Sequence, residues 1–194
     1  NGVPDSRTEN SNFNDRQGYT FNTGLLWRHR FSKARRSLSI QGDVELNDRE
    51  GERIIRSLNV FDLLTDTTVL DRNTDELTQG QRFGARLTYT EPLGEKSMLQ
   101  LNYAPTYTNG LTDRIANELD PEFGTYTLLD TLLSNRFAST YFSQRGGASY
   151  RANKEKWSWT LGLDGQYARL TGDREFPLAF GVERNFSNLL PNAM

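Results

Sequence analysis

The strongest constraint on the fold is an alternation of apolar and polar side chains along two neighbouring stretches, residues 19–31 and 38–47. A short polar turn at 32–36 separates them. Because successive side chains of a strand point to opposite faces, each stretch is expected to be a strand with one apolar and one polar face. The apolar positions are Tyr19, Phe21, Leu25, Trp27, Phe31, Leu38, Ile40, Val44 and Leu46. The sequence therefore predicts an antiparallel hairpin at about 19–47.

The same plan occurs twice more, which predicts further hairpins at about 81–108 and 138–170 and the start of another strand at 186–194. The turns inside the three hairpins are short and centre near residues 34, 94 and 153. The stretches between hairpins lack the alternation and are expected to be long loops, and residues 1–18 are expected to be a polar loop segment. A meander of this kind has its short turns at one end and its long loops at the other.

The composition favours a sheet whose apolar face meets lipid. Only 35% of the residues are hydrophobic and the mean hydropathy is -0.71, which is poor material for a closed two-layer core. No run approaches the roughly 18 apolar residues of a transmembrane helix, whereas a transmembrane strand needs only about 9–11 residues. Large aromatic residues lie near the short turns, where a barrel carries its interface girdle: Phe31, Tyr89, Tyr150, Trp157 and Trp159. An ordinary antiparallel sheet packed on a second layer is the alternative.

Several short stretches resemble a known family. They are 89–94, 99–103, 133–135 and, above all, Phe176-Pro177 followed by Phe186 to Pro191. They resemble the barrel region of TonB-dependent-receptor-like outer-membrane proteins. The resemblance implies the bacterial outer membrane, a large barrel of about 22 strands, an amino-terminal plug inside its lumen, and uptake powered by an energy-coupling protein.

The predicted fold class is therefore all-β, an antiparallel up-and-down meander forming part of a large transmembrane β-barrel over residues 19–194. Six or seven strands are too few to close a barrel, since about eight are needed. We expect the chain to be an internal or C-terminal part of the barrel region, without the plug. The predicted function is that of a barrel wall in an uptake transporter for an unidentified extracellular ligand, with lipid, plug and energy-coupling protein as partners.

The residues give little support to other chemistry. The chain has no cysteine and a single histidine, His29, so thiolate sites, cysteine nucleophiles and histidine-cluster metal sites are excluded. No cofactor is expected, and a net charge of -2 with dispersed basic residues argues against nucleic acid. A non-transporting barrel that serves as adhesin, scaffold or export-machine partner is the alternative. A hydrolase that uses His29 is less favoured, because no nucleophile motif accompanies the histidine.

Four charged residues share the polar face of the first hairpin and are expected to face the barrel lumen: Arg28, Arg30, Asp43 and Glu45. Cross-strand charge pairs among them would stabilise the wall by about 0.2–1 kcal/mol each. The turn at 32–36 is then expected to lie on the periplasmic side.

Overall fold

The structure, a computed structural model, describes residues 6–61, 66–154 and 157–193. These residues form eight strands and the turns that join them. The strands are β1 (Ser6–Arg30), β2 (Ser37–Phe61), β3 (Asp66–Pro92), β4 (Ser97–Asp120), β5 (Thr125–Leu129), β6 (Asn135–Lys154), β7 (Trp157–Phe176) and β8 (Phe180–Ala193). No helix in this part of the chain has the length and apolar character needed to cross a membrane.

All strand pairs are antiparallel, in the order β1-β2-β3-β4-β6-β7-β8, and the short β5 pairs with the far end of β4. Strands that are adjacent in sequence are therefore adjacent in space, except where β5 takes up part of the β4 edge. Within the described residues β1 and β8 do not pair with each other, so the sheet is open. The prediction of an all-β antiparallel meander, incomplete as a barrel, is confirmed.

The strands are much longer than the sequence pattern predicts, and the expected loops are mostly strand. Residues 6–18, expected to be loop, belong to β1 and pair with β2 from Ser6 opposite Phe61 onward. The expected loop at 48–80 is largely β2 and β3, that at 109–137 is largely β4 and β5, and that at 171–185 is largely β7 and β8. The last strand starts at Phe180 instead of Phe186. Of the predicted loop at 48–80, residues 62–65 lie outside the described part.

The length of the strands explains why the alternation of apolar and polar residues did not predict their outer parts. At about 3.4 Å per residue, the 27 residues of β3 span roughly 90 Å, far more than the apolar band of an outer-membrane barrel, which is about 25 Å tall. Residues 19–31 span roughly 40 Å, or about 30 Å across a membrane at a strand tilt near 40°. Beyond that band both faces of a strand meet water, so the hydrophobic alternation ends although backbone pairing continues.

The apolar positions of neighbouring strands lie opposite one another and form one continuous apolar face. Trp27 faces Ile40, Ile40 faces Leu87, and Leu87 faces Tyr103. No second layer covers this face, because Ala116 and Ala168 are the buried hydrophobic residues of the described chain, while Leu25 is 77% exposed. This exposure excludes the alternative of a sheet packed on a second protein layer within the described chain.

Two of the three hairpin turns are described completely. In the first, Phe31 N donates to Arg36 O at 3.2 Å, and Arg35 adopts a left-handed conformation with φ of 67°. In the second, Leu93 N donates to Ser97 O at 3.0 Å, and Gly94 has a φ of 110°. The third turn is shorter than the predicted 151–156, because β6 continues to Lys154; residues 155–156 lie outside the described part.

Candidate functional site

The face opposite the apolar face, called the polar face here, carries the candidate site. Register places Arg28 opposite Ser39, Ser39 opposite Thr88, and Thr88 opposite Asn102. The same row continues through Gly147 to Asp164 on β7. The row thus crosses six strands at one level of the sheet, and five of them contribute a polar side chain.

All four charged residues predicted for this face lie on it, but they are not cross-strand partners. Arg28 and Arg30 face Ser39 and Ser37, which are small and neutral. Asp43 faces Gly24, and Glu45 faces Asn22 on one side and Arg82 on the other. The expectation of charge pairs within this set is therefore wrong: the acidic and basic residues occupy different levels of the hairpin.

A cluster of polar contacts on this face involves residues that the sequence pattern does not single out. Arg145 Nη2 donates to Asp164 Oδ2 at 2.7 Å, and Asn102 Nδ2 donates to Asp164 Oδ1 at 3.2 Å. The side chain of Asp164 is only 8% exposed, whereas that of Arg145 is 51% exposed. Three strands, β4, β6 and β7, are tied together by one carboxylate.

Gly147 provides the space for that carboxylate. A Cβ at residue 147 would overlap Asp164 Oδ1 and lie 2.5 Å from the backbone oxygen of Leu163. The adjacent Gly146 lies on the apolar face, where a Cβ would make an ordinary 3.5 Å contact with Tyr103 Cδ2. Gly147 therefore accommodates a side chain of the neighbouring strand.

Long or polar side chains lie over glycines of the next strand at other levels of the polar face. A Cβ at Gly84 would be 2.7 Å from Asp43 Cγ, and one at Gly162 would be 2.6 Å from Asn192 Oδ1. Beyond the band, Arg16 crosses Gly51, and its Nη2 reaches Glu76 Oε2 on β3 at 3.1 Å. Glycines on the polar face are visible in the sequence, but the residue that lies opposite each of them follows only from the register of the strands.

The five predicted interface aromatics fall into two groups near the short turns. Phe31 and Tyr89 meet edge to face at a centroid distance of 6.3 Å. Tyr150 lies 5.3 Å from Trp159, which stacks on Trp157 at 6.4 Å.

His29 belongs to the first aromatic group. It stacks on Trp27 at a centroid distance of 5.7 Å and meets Phe31 edge to face at 4.5 Å. His29 thus has aromatic neighbours on both sides. The enzyme alternative draws no support from it.

A row of acidic residues lies on the same side of the sheet as the apolar face. It lies beyond the apolar band, towards the end of the sheet away from the short turns. Asp15 faces Glu52 and Glu52 faces Asp75, beside a cavity of about 460 Å³. Burial and the charge of Glu52 raise the pKa of Asp75. Among the described residues, no group of three or more acidic, histidine or cysteine side chains has the arrangement of a metal site.

The long antiparallel strands, the uncovered apolar face and the opposite polar face define the wall of an outer-membrane β-barrel. The family model described as "Outer membrane protein beta-barrel family" matches residues 29–194, and the chain belongs to this family. The prediction of a barrel related in plan to the TonB-dependent receptors, located in the bacterial outer membrane, is thereby confirmed at the level of the barrel family.

Comparison with solved structures adds a likeness in fold. No curated protein sequence matches the chain. Among solved structures, the crystal structure of the unliganded ferric citrate transporter FecA is similar, with a TM-score of 0.44 and 10% sequence identity. The likeness covers 81% of this chain and 24% of FecA, so the chain spans about a quarter of that transporter.

Proposed function

We propose that this chain forms part of the wall of an outer-membrane uptake transporter whose polar face lines a wide lumen occupied by a plug. The observation that carries the proposal is the character of the polar face, which combines charged groups with glycines over which side chains lie flat. A small barrel fills its interior with its own side chains, whereas a large barrel leaves its lumen open or plugged.

The Asn102–Asp164–Arg145 cluster fits a surface that another part of the protein contacts. Asp164 is held on two sides, so its position is fixed. Arg145 uses Nη2 for Asp164 and is half exposed, so its remaining N–H groups are available to an acceptor in the lumen. The four predicted residues Arg28, Arg30, Asp43 and Glu45 would meet the same plug.

The far ends of the strands suit ligand capture outside the cell. β1, β2 and β3 continue well beyond the apolar band, and both of their faces carry charged and amide side chains there. In this proposal the ends remote from the short turns are extracellular and meet the ligand first, and the protein is a transporter without catalytic residues in this part.

Ion conductance tests the proposal without knowledge of the ligand. The full-length protein is inserted into a planar bilayer in potassium chloride, with and without a urea concentration that unfolds a plug and leaves a barrel intact. A plugged transporter barrel is expected to be closed without urea and to open a large conductance with it. An open channel without urea would refute the plug and favour a non-transporting barrel, and closure under both conditions would refute a wide lumen.

A further inference from the structure

The short-turn end of the sheet is basic, although the chain as a whole is acidic. Residues 31–36, 91–96 and 153–154 contain five Lys or Arg and two Glu, a net charge of +3. Since the whole chain carries -2, the remainder carries -5. All three segments lie at the same end of the antiparallel sheet. An anionic partner is therefore attracted to this end and repelled from the other.

The densest part of this charge is a cluster formed by Lys33, Arg35, Arg36 and Glu91, called the rim cluster here. Lys33 Nζ donates to Glu91 Oε1 at 2.6 Å, and Arg36 donates to both Glu91 oxygens, at 2.7 Å from Nε and 2.8 Å from Nη2. Tyr89 Oη donates to Glu91 Oε2 at 2.6 Å. Arg35 Nη2 donates to Gly94 O at 2.7 Å and so joins the first turn to the second.

The rim cluster lies where the apolar face ends. Glu91 is the next residue on that face after Tyr89, and it faces Leu99 of β4. Phe31 packs against Tyr89, and behind it His29 and Trp27 continue the aromatic group along β1. A positive cluster directly beside an exposed apolar and aromatic surface matches a molecule that has an anionic head and an apolar tail.

The cluster keeps binding capacity after its internal contacts are made. The cluster has three cations and one carboxylate, and two of the cations, Lys33 and Arg36, contact that carboxylate. Glu95 and Lys96 of the second turn offset each other in charge. Arg36 uses Nε and Nη2 for Glu91, so Nη1 remains directed elsewhere, and Lys33 has two further N–H groups. The side chain of Lys33 is 48% exposed and that of Arg36 is 34% exposed. Guanidinium and ammonium donors of this kind suit phosphate oxygens.

We propose that the rim cluster binds the phosphate of an anionic glycerophospholipid in the membrane leaflet at the short-turn end. Lys33, Arg35 and Arg36 hold the phosphate, and an acyl chain lies along Trp27, His29 and Phe31. Glu91 fixes Lys33 and Arg36 in place and prevents an excess of positive charge from displacing the turn when no lipid is bound. This site is independent of what the barrel transports.

Lipid enrichment tests the proposal. The full-length protein is reconstituted in bilayers of equal phosphatidylglycerol and phosphatidylcholine and then extracted in mild detergent, and the retained lipids are quantified by mass spectrometry. Wild type is expected to retain phosphatidylglycerol preferentially. The triple variant Lys33→Gln, Arg35→Gln and Arg36→Gln is expected to lower that preference roughly tenfold.

A matched triple variant away from the short turn, on the same hairpin, is the control. Replacement of Arg7, Arg49 and Arg53 by Gln removes the same charge and is expected to leave the preference unchanged. Equal retention of both lipids by wild type, or equal loss in both triple variants, would overturn the proposal. Displacement of the lipid by an equal concentration of soluble glycerol phosphate would also overturn the proposal, because the acyl chain would then contribute nothing to binding.

A milder variant covers the case in which the triple variant at the rim fails to fold. Arg35 is exposed and contacts only a backbone oxygen of the neighbouring turn among the described contacts, so Arg35→Gln is expected to fold. It is expected to lower the preference for phosphatidylglycerol roughly threefold. An unchanged preference in a folded Arg35→Gln protein would count against the site.

Discussion

Substitution of Gly147 by Ala tests whether polar contacts across glycine hold β6 and β7 together. The added Cβ would overlap Asp164 Oδ1, lie 2.5 Å from Leu163 O and lie 2.8 Å from Asp164 Cα. Rotation of the Asp164 side chain relieves only the first contact, so the two strands must also move apart. Overpacking of this kind costs about 1–3 kcal/mol. The displaced carboxylate also loses its hydrogen bond from the half-exposed Arg145, for which we assign about 1 kcal/mol. The expected loss is about 3 kcal/mol in the free energy of unfolding.

The assay is urea unfolding of the full-length protein in lipid vesicles, followed by tryptophan fluorescence. Gly146→Ala is the matched control, because its Cβ finds ordinary contacts at 3.5 and 3.6 Å on the apolar face. It is expected to change the free energy of unfolding by less than about 0.5 kcal/mol. Equal stabilities of the two variants would refute the reasoning.

Three further predictions concern ionised and buried polar groups. The contacts of Glu91 with Arg36, Lys33 and Tyr89 lower its pKa to about 2. The stability that these contacts contribute is therefore present above the ordinary pKa of 4.5 and is lost as the pH falls through about 2. A carbon-13 titration of the Glu91 carboxyl group measures this pKa, and a midpoint near 4.5 would contradict the prediction. The pKa of Asp75 is raised by burial and by the charge of Glu52. Glu52→Gln is therefore expected to lower the pKa of Asp75, as a titration would show, and to stabilise the protein at pH 7, as urea unfolding would show. Ser134 Oγ accepts a hydrogen bond from the buried backbone N–H of residue 116 at 2.9 Å. Ser134→Ala is expected to remove this hydrogen bond at a cost of about 1–3 kcal/mol and to speed hydrogen exchange at residues 130–134. Unchanged exchange would argue against this prediction.

The hairpins of the fold could be predicted because the membrane imposes a pattern on the sequence. Between Tyr19 and Phe31 every second side chain meets the apolar surroundings, and the resulting alternation identifies strand, face and turn together. From Ser6 to Gly18 the strand meets water on both sides, so the composition resembles that of a loop while the backbone still pairs with β2. Pairing is a property of two strands, and a single stretch of polar sequence does not show it.

The candidate site could be predicted only in part for a related reason. The alternation of odd and even positions along each strand placed Arg28 and Asp43 on the polar face. It did not give the register between β1 and β2, and this register sets Arg28 and Asp43 at different levels. The contact between Asp164 and Arg145 depends on Gly147 lying opposite Asp164, and this requires the register of β6 and β7. Pro105 has no backbone N–H, and the pairing of β3 with β4 is interrupted there and resumes in the same register.

We infer that one face of this sheet meets lipid and the other meets water. Spin labels placed singly at each position from Arg82 to Tyr89 of β3, in the full-length protein reconstituted in bilayers, test it directly. Access to oxygen, which concentrates in lipid, is expected at the odd positions such as Phe83 and Leu87, and access to a water-soluble nickel complex at the even ones. Equal access at odd and even positions, or access of the nickel complex to Phe83 and Leu87, would contradict the account.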